Sequence, residues 1–242
     1  MRLAALSDVH GNLEAFSAVL ADLEGQGVEH TALLGDVVGY GPDPEACVDL
    51  ARERGLPGVM GNHEMGLDDE LTLAWFNPTA RQSLERIRGM LSPESLAWLA
   101  ALPNFLVLGP CRLVHGAPPA SPTRYYFEMS QAEILSRMNR IDQPWCLVGH
   151  THELAMARIS PKNRVEMLGL GQGRHELEPD ARYLINAGAV GQPRDGDPRA
   201  KYVIVDDQAN ELEVRFVEYD VETTVNKILE RGLPEYNARR LQ

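Results

Sequence analysis

Cysteine is scarce. Cys47, Cys111 and Cys146 are the three in 242 residues, and no two form a CxxC pair. That spacing argues against a disulfide framework and a sulfur-ligated structural zinc. Their apolar neighbours mark them instead as small buried thiols. Long hydrophobic runs are missing as well. The amino terminus offers only Leu3 to Leu6, too short for a secretory core or a membrane span, so a soluble, cytoplasmic protein is expected. Positive charge is in deficit: 23 Lys and Arg face 35 Asp and Glu, for a net charge of −12. An extensive nucleic-acid surface or an anionic-membrane surface is therefore not expected. A local phosphate site remains open, because bound metal ions can reverse the field around them. Apolar residues at 44% and charged residues at 24% fit an ordinary globular core and argue against global disorder.

Hydrophobic patterning divides the chain into alternating elements. Leu3 to Leu6 reads as a strand that stops at Ser7-Asp8-Val9-His10-Gly11. Asn12 then caps a helical pattern carrying Leu13, Phe16, Val19, Leu20 and Leu23. Thr31 to Leu34 is a second strand, ending at Gly35-Asp36, and Ala46 to Arg54 a short helix with Pro44 near its start. Val59-Met60 leads into Gly61-Asn62-His63-Glu64, read as a loop. About residues 71–101 a helical segment is expected, with Trp75, Phe76, Trp98 and Leu99 as apolar anchors. A hairpin over Phe105–Leu108 and Arg112–Val114 follows, then a helix around Ser130–Asn139 and a strand Trp145–Val148. The remainder reads as strands at Leu154–Ile159, Arg182–Asn186, Ala200–Val205 and Leu212–Glu218, closed by a helix over Thr223–Arg231. No linker or repeat divides residues 1–242, so one α/β domain of two packed sheets with outer helices is expected.

Five of the seven histidines fall in the loops that follow strands: His10, His63, His115, His150 and His152. Asp8, Asp36 and Asn62 occupy the same kind of position. Alone, each histidine reads as a hydrogen-bonded structural group. Together, they stand where open α/β sheets bind ligands, outside the carboxyl ends of strands. Carboxylate oxygen, amide oxygen and neutral imidazole suit intermediate divalent ions such as manganese, iron, cobalt or zinc. Asp8 and His10 are two apart on an extended segment, as are His150 and His152, so each pair can point into one site. Asp36 has two oxygens with which to bridge two ions. Glu64 is read as an organiser of backbone rather than a ligand, and His30 and His175 fall outside these motifs.

In Asp8-x-His10, Gly35-Asp36, Gly61-Asn62-His63-Glu64, His115 and Gly149-His150-Thr151-His152, the sequence resembles the calcineurin-like metallophosphoesterase superfamily, in its small prokaryotic phosphodiesterase and phosphatase branch. The resemblance implies a four-layer α/β/β/α sandwich built on two packed mixed sheets. It implies one metal held by Asp8, His10, Asp36 and His152, and a second by Asp36, Asn62, His115 and His150. Manganese is expected ahead of iron, cobalt, zinc and nickel. His63 is implied to contact the phosphate and assist the leaving group, with an imidazole that titrates near the working range. Protein phosphatases of this family carry GDxVDRG where this chain reads Gly35-Asp36-Val37-Val38-Gly39-Tyr40-Gly41. Gly39 thus replaces an aspartate and Tyr40 a phosphate-holding arginine, which makes protein phosphatase activity doubtful. Asn186-Ala187-Gly188-Ala189-Val190-Gly191 stands where many of the small prokaryotic members carry NPGSVG. Tyr40, Arg124, Tyr125 and Arg194 are candidates to contact substrate. The expected activity is metal-dependent hydrolysis of a small phosphomonoester or phosphodiester, including nucleotides. Hydrolysis of a dinucleoside polyphosphate and a non-catalytic interaction role are the alternatives.

Overall fold

In β1 (Arg2–Leu6), Leu3 and Ala5 point to one side and Ala4 and Leu6 to the other, and all four are fully buried. A strand buried on both faces needs a packed layer on each side. The computed structural model covers residues 1–242 and supplies both. After β1 come α1 (Leu13–Leu23), β2 (His30–Leu33), α2 (Pro44–Glu53), α3 (Asn62–Asp68), α4 (Glu70–Leu73), α5 (Pro78–Arg88) and α6 (Pro93–Ala100). The hairpin β3 (Leu106–Leu108) and β4 (Cys111–Leu113) precedes α7 (Gln131–Met138), β5 (Trp145–Val148), β6 (Leu154–Ile159) and β7 (Val165–Leu168). The chain ends with β8 (Gly173–Glu176), β9 (Arg182–Ala187), β10 (Ala200–Asp206), β11 (Glu211–Val217), α8 (Val221–Glu230) and α9 (Glu235–Arg239).

The strands form two sheets, ordered β2-β1-β10-β11-β8 and β3-β4-β5-β9-β6-β7. Both are mixed: β1 runs parallel to β2 and antiparallel to β10, while β9 runs parallel to β5 and antiparallel to β6. Leu3, Ala5, Val203 and Val205 of the first sheet share one core with Leu113, Leu147, Tyr183 and Ile185 of the second. The opposite face of the first sheet, through Ala4, Leu6 and Ile204, packs with Phe16, Val48 and Ile228 of α1, α2 and α8. The outer face of the second sheet, through Cys146, Val148 and Leu184, packs with Ile134 and Met138 of α7. Helix, sheet, sheet and helix therefore make four layers, as expected. No helix is long and apolar enough to cross a membrane.

Departures from the sequence reading have local causes. Asn62 and His63 open a helix rather than lie in a loop, so the helical segment begins at α3, before residue 71, and runs to Ala100. Asn77 and Ser92 cap α5 and α6 by accepting N–H bonds from Ala80 and Ser95, each followed by a proline suited to the first helical turn. Leu99 is buried, and Phe76 and Trp98 pack against the same core. Trp75 does not: it is 74% exposed. The reading also missed β7 and β8, four-residue edge strands: β8 is polar, and β7 sets Glu166 among Val165, Met167 and Leu168 in a run too short to stand out.

Candidate metal centre

The motif residues follow the strands directly. Asp8 and His10 follow β1, Asp36 follows β2, His115 follows β4, and His150 and His152 follow β5. All are buried, as are Asn62 and His63 at the start of α3. Their polar atoms form three overlapping groups, in each of which the donors lie within 4.8 Å of one another: Asp8, His10 and His152; His10, Asp36 and His63; Asp36, His115 and His150. Asn62 joins the last, with Oδ1 3.1 Å from His115 Nε2.

The orientation of each imidazole follows from its outward nitrogen. His10 Nδ1 lies 3.0 Å from the Val38 carbonyl, His115 Nδ1 2.8 Å from that of Leu34, and His152 Nδ1 2.6 Å from that of Gln192. His150 is turned the other way, with Nε2 3.2 Å from the Thr123 carbonyl. A carbonyl oxygen only accepts, so these outward nitrogens carry the protons and the inward ones present lone pairs. His10 Nε2 then faces His152 Nε2 at 3.0 Å, and His115 Nε2 faces His150 Nδ1 at 3.2 Å. His152 Nε2 is 3.3 Å from Asp8 Oδ1, which has no hydrogen-bond partner, and His115 Nε2 is 3.2 Å from Asp36 Oδ2. Lone pairs facing lone pairs and carboxylate oxygens in a buried site call for positive charge between them, as metal ions or as protons. Outward N–H groups held by carbonyls are the usual support of metal-bound histidine. The donor set therefore fits two divalent ions, with Asp36 between the two halves.

Charge supports that fit. Burial opposes ionisation of both carboxylates, but the facing histidines, His152 for Asp8 and His115 for Asp36, outweigh it and hold each below the usual carboxylate range. Burial pushes the His63 and His150 imidazoles down to about 3. Burial also disfavours charge on His115, yet Asp36 overcomes this and pushes it up to about 9. Ionised carboxylates and mostly neutral imidazoles are the forms that bind metal, and the charge drawn onto His115 marks where positive charge is wanted.

The surrounding chain is shaped around this cluster. Glu64 accepts backbone N–H bonds from Asp36, Val37 and Gly61 at 2.8, 2.8 and 2.9 Å and from Val38 at 3.3 Å, as an organiser of two motif loops. Burial and then Asp36 push its carboxyl up to about 7, against those donors. A β-carbon at Gly39 would strike the His10 and His63 rings. The aspartate that related phosphatases carry at this position has no room here. A β-carbon at Gly149 would strike Ser7 and Asp8.

His63 differs from the other four imidazoles. Its Nδ1 is buried without a partner, its Nε2 is 4.0 Å from Asp36 Oδ2, and its ring packs edge-on against Tyr40 and Phe76. The candidate substrate residues divide in two. Tyr40 lies against His10 and His63 at 4.7 Å between ring centroids, and its hydroxyl is 3.4 Å from Arg194 Nη2. Arg194 also donates its backbone N–H to the His152 carbonyl. Tyr125 stacks on His150 with centroids 3.8 Å apart. Arg124 is not brought to the cluster: its guanidinium is engaged by Glu128 and Glu133. Nothing in the chain's patterning marks Lys201, a fully buried lysine whose Nζ donates to Asp195 Oδ1 and to the Asp197 carbonyl. It braces the loop that carries Gln192 and Arg194. Lys201 sits in an ordinary strand pattern, and only the fold reveals its burial.

Two packed sheets with a paired metal cluster at their strand ends define a metal-dependent phosphoesterase. The chain belongs to the calcineurin-like phosphoesterase superfamily, whose domain model matches residues 1–210. It is 34% identical over 244 residues to an uncharacterized protein of Methanocaldococcus jannaschii, covering 99% of this chain and 96% of that protein. The crystal structure of a metallophosphoesterase from Sphaerobacter thermophilus superposes with a TM-score of 0.85 at 38% identity, covering 100% of this chain and 98% of the other. A hypothetical protein from Pyrococcus horikoshii shares the fold, with a TM-score of 0.80 at 18% identity over 99% and 97% of the two chains.

Proposed function

We propose that the protein hydrolyses small phosphomonoesters or phosphodiesters, nucleotides among them, with two transition-metal ions, manganese foremost. Asp8, His10, Asp36 and His152 hold one ion, and Asp36, Asn62, His115 and His150 hold the other. The observation that carries this reading is the set of inward lone pairs, His10 facing His152 and His115 facing His150, around two buried carboxylates. Two ions in that setting supply charge to clamp phosphate oxygens and activate water.

The chain's own residues do the rest. Arg194, steadied on the Tyr40 hydroxyl, offers a guanidinium to the phosphate from a loop 154 residues away in sequence. It takes the part that an arginine at position 40 plays in related phosphatases. His63 hydrogen-bonds the leaving oxygen and passes it a proton. Its resting imidazole is neutral, because burial pushes it down to about 3 rather than near neutrality as the sequence suggested. A phosphate dianion entering beside it favours the protonated form. Both sheets contribute ligands to one site, so residues 1–242 act as one domain. The free, buried thiols of Cys47, Cys111 and Cys146 accord with a cytoplasmic setting.

The test is hydrolysis of an aryl phosphate and an aryl phosphodiester after metal removal and reconstitution. Turnover should return with manganese. His63→Ala should retain both ions and lose about 10²–10⁴-fold in kcat, most strongly with a poor leaving group. Failure with manganese, iron, cobalt, nickel and zinc, with two ions verified in each chain, contradicts the proposal.

A further inference from the structure

Beside the ligand cluster lies a cavity of about 340 Å³, at the small end of the roughly 300–1,000 Å³ usual for ligand pockets. Asn62 and His150 line it, together with Tyr40, Trp75, Phe76 and Tyr125. None of its ten lining residues is Lys, Arg, Asp or Glu. A larger hollow between α7 and β7 shares no residue with the cluster. The cavity wall is ordered where it meets the metal site: Phe76 packs on His63 at 5.0 Å, and Tyr125 lies between His150 and Phe127 at 3.8 and 5.0 Å. Trp75 is left 74% exposed, although it adjoins Phe76, which packs into the core. A tryptophan kept in water at the mouth of an uncharged cavity leaves apolar ring surface for a ligand.

We propose that this cavity holds a planar, uncharged aromatic ring carried by the leaving group of the ester, with Trp75 as its stacking face and the edge of Tyr125, whose own faces lie against His150 and Phe127, as a side wall. The inference rests on the phosphoesterase reading and narrows its substrate class. Water adds to phosphorus, and the bond from phosphorus to the ring-bearing alcohol breaks. The alcohol leaves with a proton, and inorganic phosphate remains. A nucleoside monophosphate has this form, with the base as the ring. A dinucleoside polyphosphate fits poorly, because its additional phosphates would enter a cavity without cations.

Adenosine monophosphate and ribose 5-phosphate present the same reacting ester and differ in the base. With the manganese-reconstituted protein, kcat/KM should favour the nucleotide about tenfold, the scale of one base–aromatic stack, with most of the difference in KM. Trp75→Ala should bring that ratio close to one, and Trp75→Phe should keep most of it. As a readout independent of turnover, adenosine should quench tryptophan fluorescence saturably in the natural chain and not in Trp75→Ala. A ratio unchanged by Trp75→Ala, or no saturable quenching by adenosine, overturns the inference while leaving phosphoesterase activity standing. If neither of these esters nor an aryl phosphodiester is hydrolysed with both ions bound, the phosphoesterase reading fails. Adenosine quenching then decides the cavity alone, supporting it if saturable and sinking it if absent.

Discussion

Asp8, His10, Asp36, His150 and His152 adopt left-handed backbones, with φ between 51 and 69°. Residues with side chains rarely sit there, although Asp, Asn and His tolerate it best. Such conformations cost on the order of 1–3 kcal/mol and persist where the surroundings fix them. Here the fixing contacts are visible. Asp8 Oδ2 accepts the His150 N–H at 3.0 Å, Asp36 Oδ1 accepts the His63 N–H at 2.9 Å, and Glu64 gathers the N–H groups of the Asp36 loop. Glu64 is thus a positioning residue. Glu64→Gln turns an NH₂ group towards backbone donors and should lower stability by about 1–3 kcal/mol, read as a reduced urea midpoint, and weaken metal binding with it. An unchanged midpoint would contradict that role. At this scale the motifs were legible because each places a donor beside a glycine after a strand. The pairing of Tyr40 with Arg194 was not, since nothing local links residues 154 positions apart.

Among the elements, α1 carries the chain away from the Asp8–His10 loop and is tied to the first sheet by a polar clasp. Asp22 on α1 accepts from Arg215 Nη2 at 2.7 Å and Nε at 2.9 Å, and from the Tyr202 hydroxyl at 2.6 Å. Burial raises the Asp22 carboxyl, but Arg215 and Tyr202 outweigh this and hold it below the usual range. Because the folded value is depressed, its stabilisation is present above the unfolded value of about 3.9. It is lost as pH falls through the lower folded value. Asp22→Asn should therefore lower stability at pH 7 by about 1–2 kcal/mol and make stability less steep below about pH 4, measured by urea unfolding across pH. Equal acid slopes in both proteins would contradict it. Buried elements were the readable ones: β1, β5 and α1 show as apolar patterns because they fill cores. Trp75 misled because its position in a helical, apolar stretch predicts burial, whereas the turn between α4 and α5 leaves it in water. The edge strands β7 and β8 escaped because each is only four residues long, β8 with polar side chains and β7 with a charge among apolar ones, so neither shows a clear pattern.

Across the whole molecule, a chain of net charge −12 is to attract a phosphate, and the fold reconciles the two. Four strand-end loops from two sheets and the first turn of α3 bring eight polar side chains into one buried site, where the two proposed ions would offset the carboxylates. The four-layer plan was legible in the order of strands and motifs. The convergence of the loops was legible only as an inference from the motifs, because its geometry depends on how the two sheets face each other across the core shared by Leu3, Ala5, Leu113 and Leu147. The central claim is that one site holds two ions bridged by Asp36. The most direct test is metal counting after equilibrium dialysis of the stripped protein against manganese. The account predicts two ions per natural chain and, in Asp36→Asn, the loss of both or retention of one weakly held ion. At most one ion in the natural chain at saturation, or two held as tightly in Asp36→Asn, would contradict it.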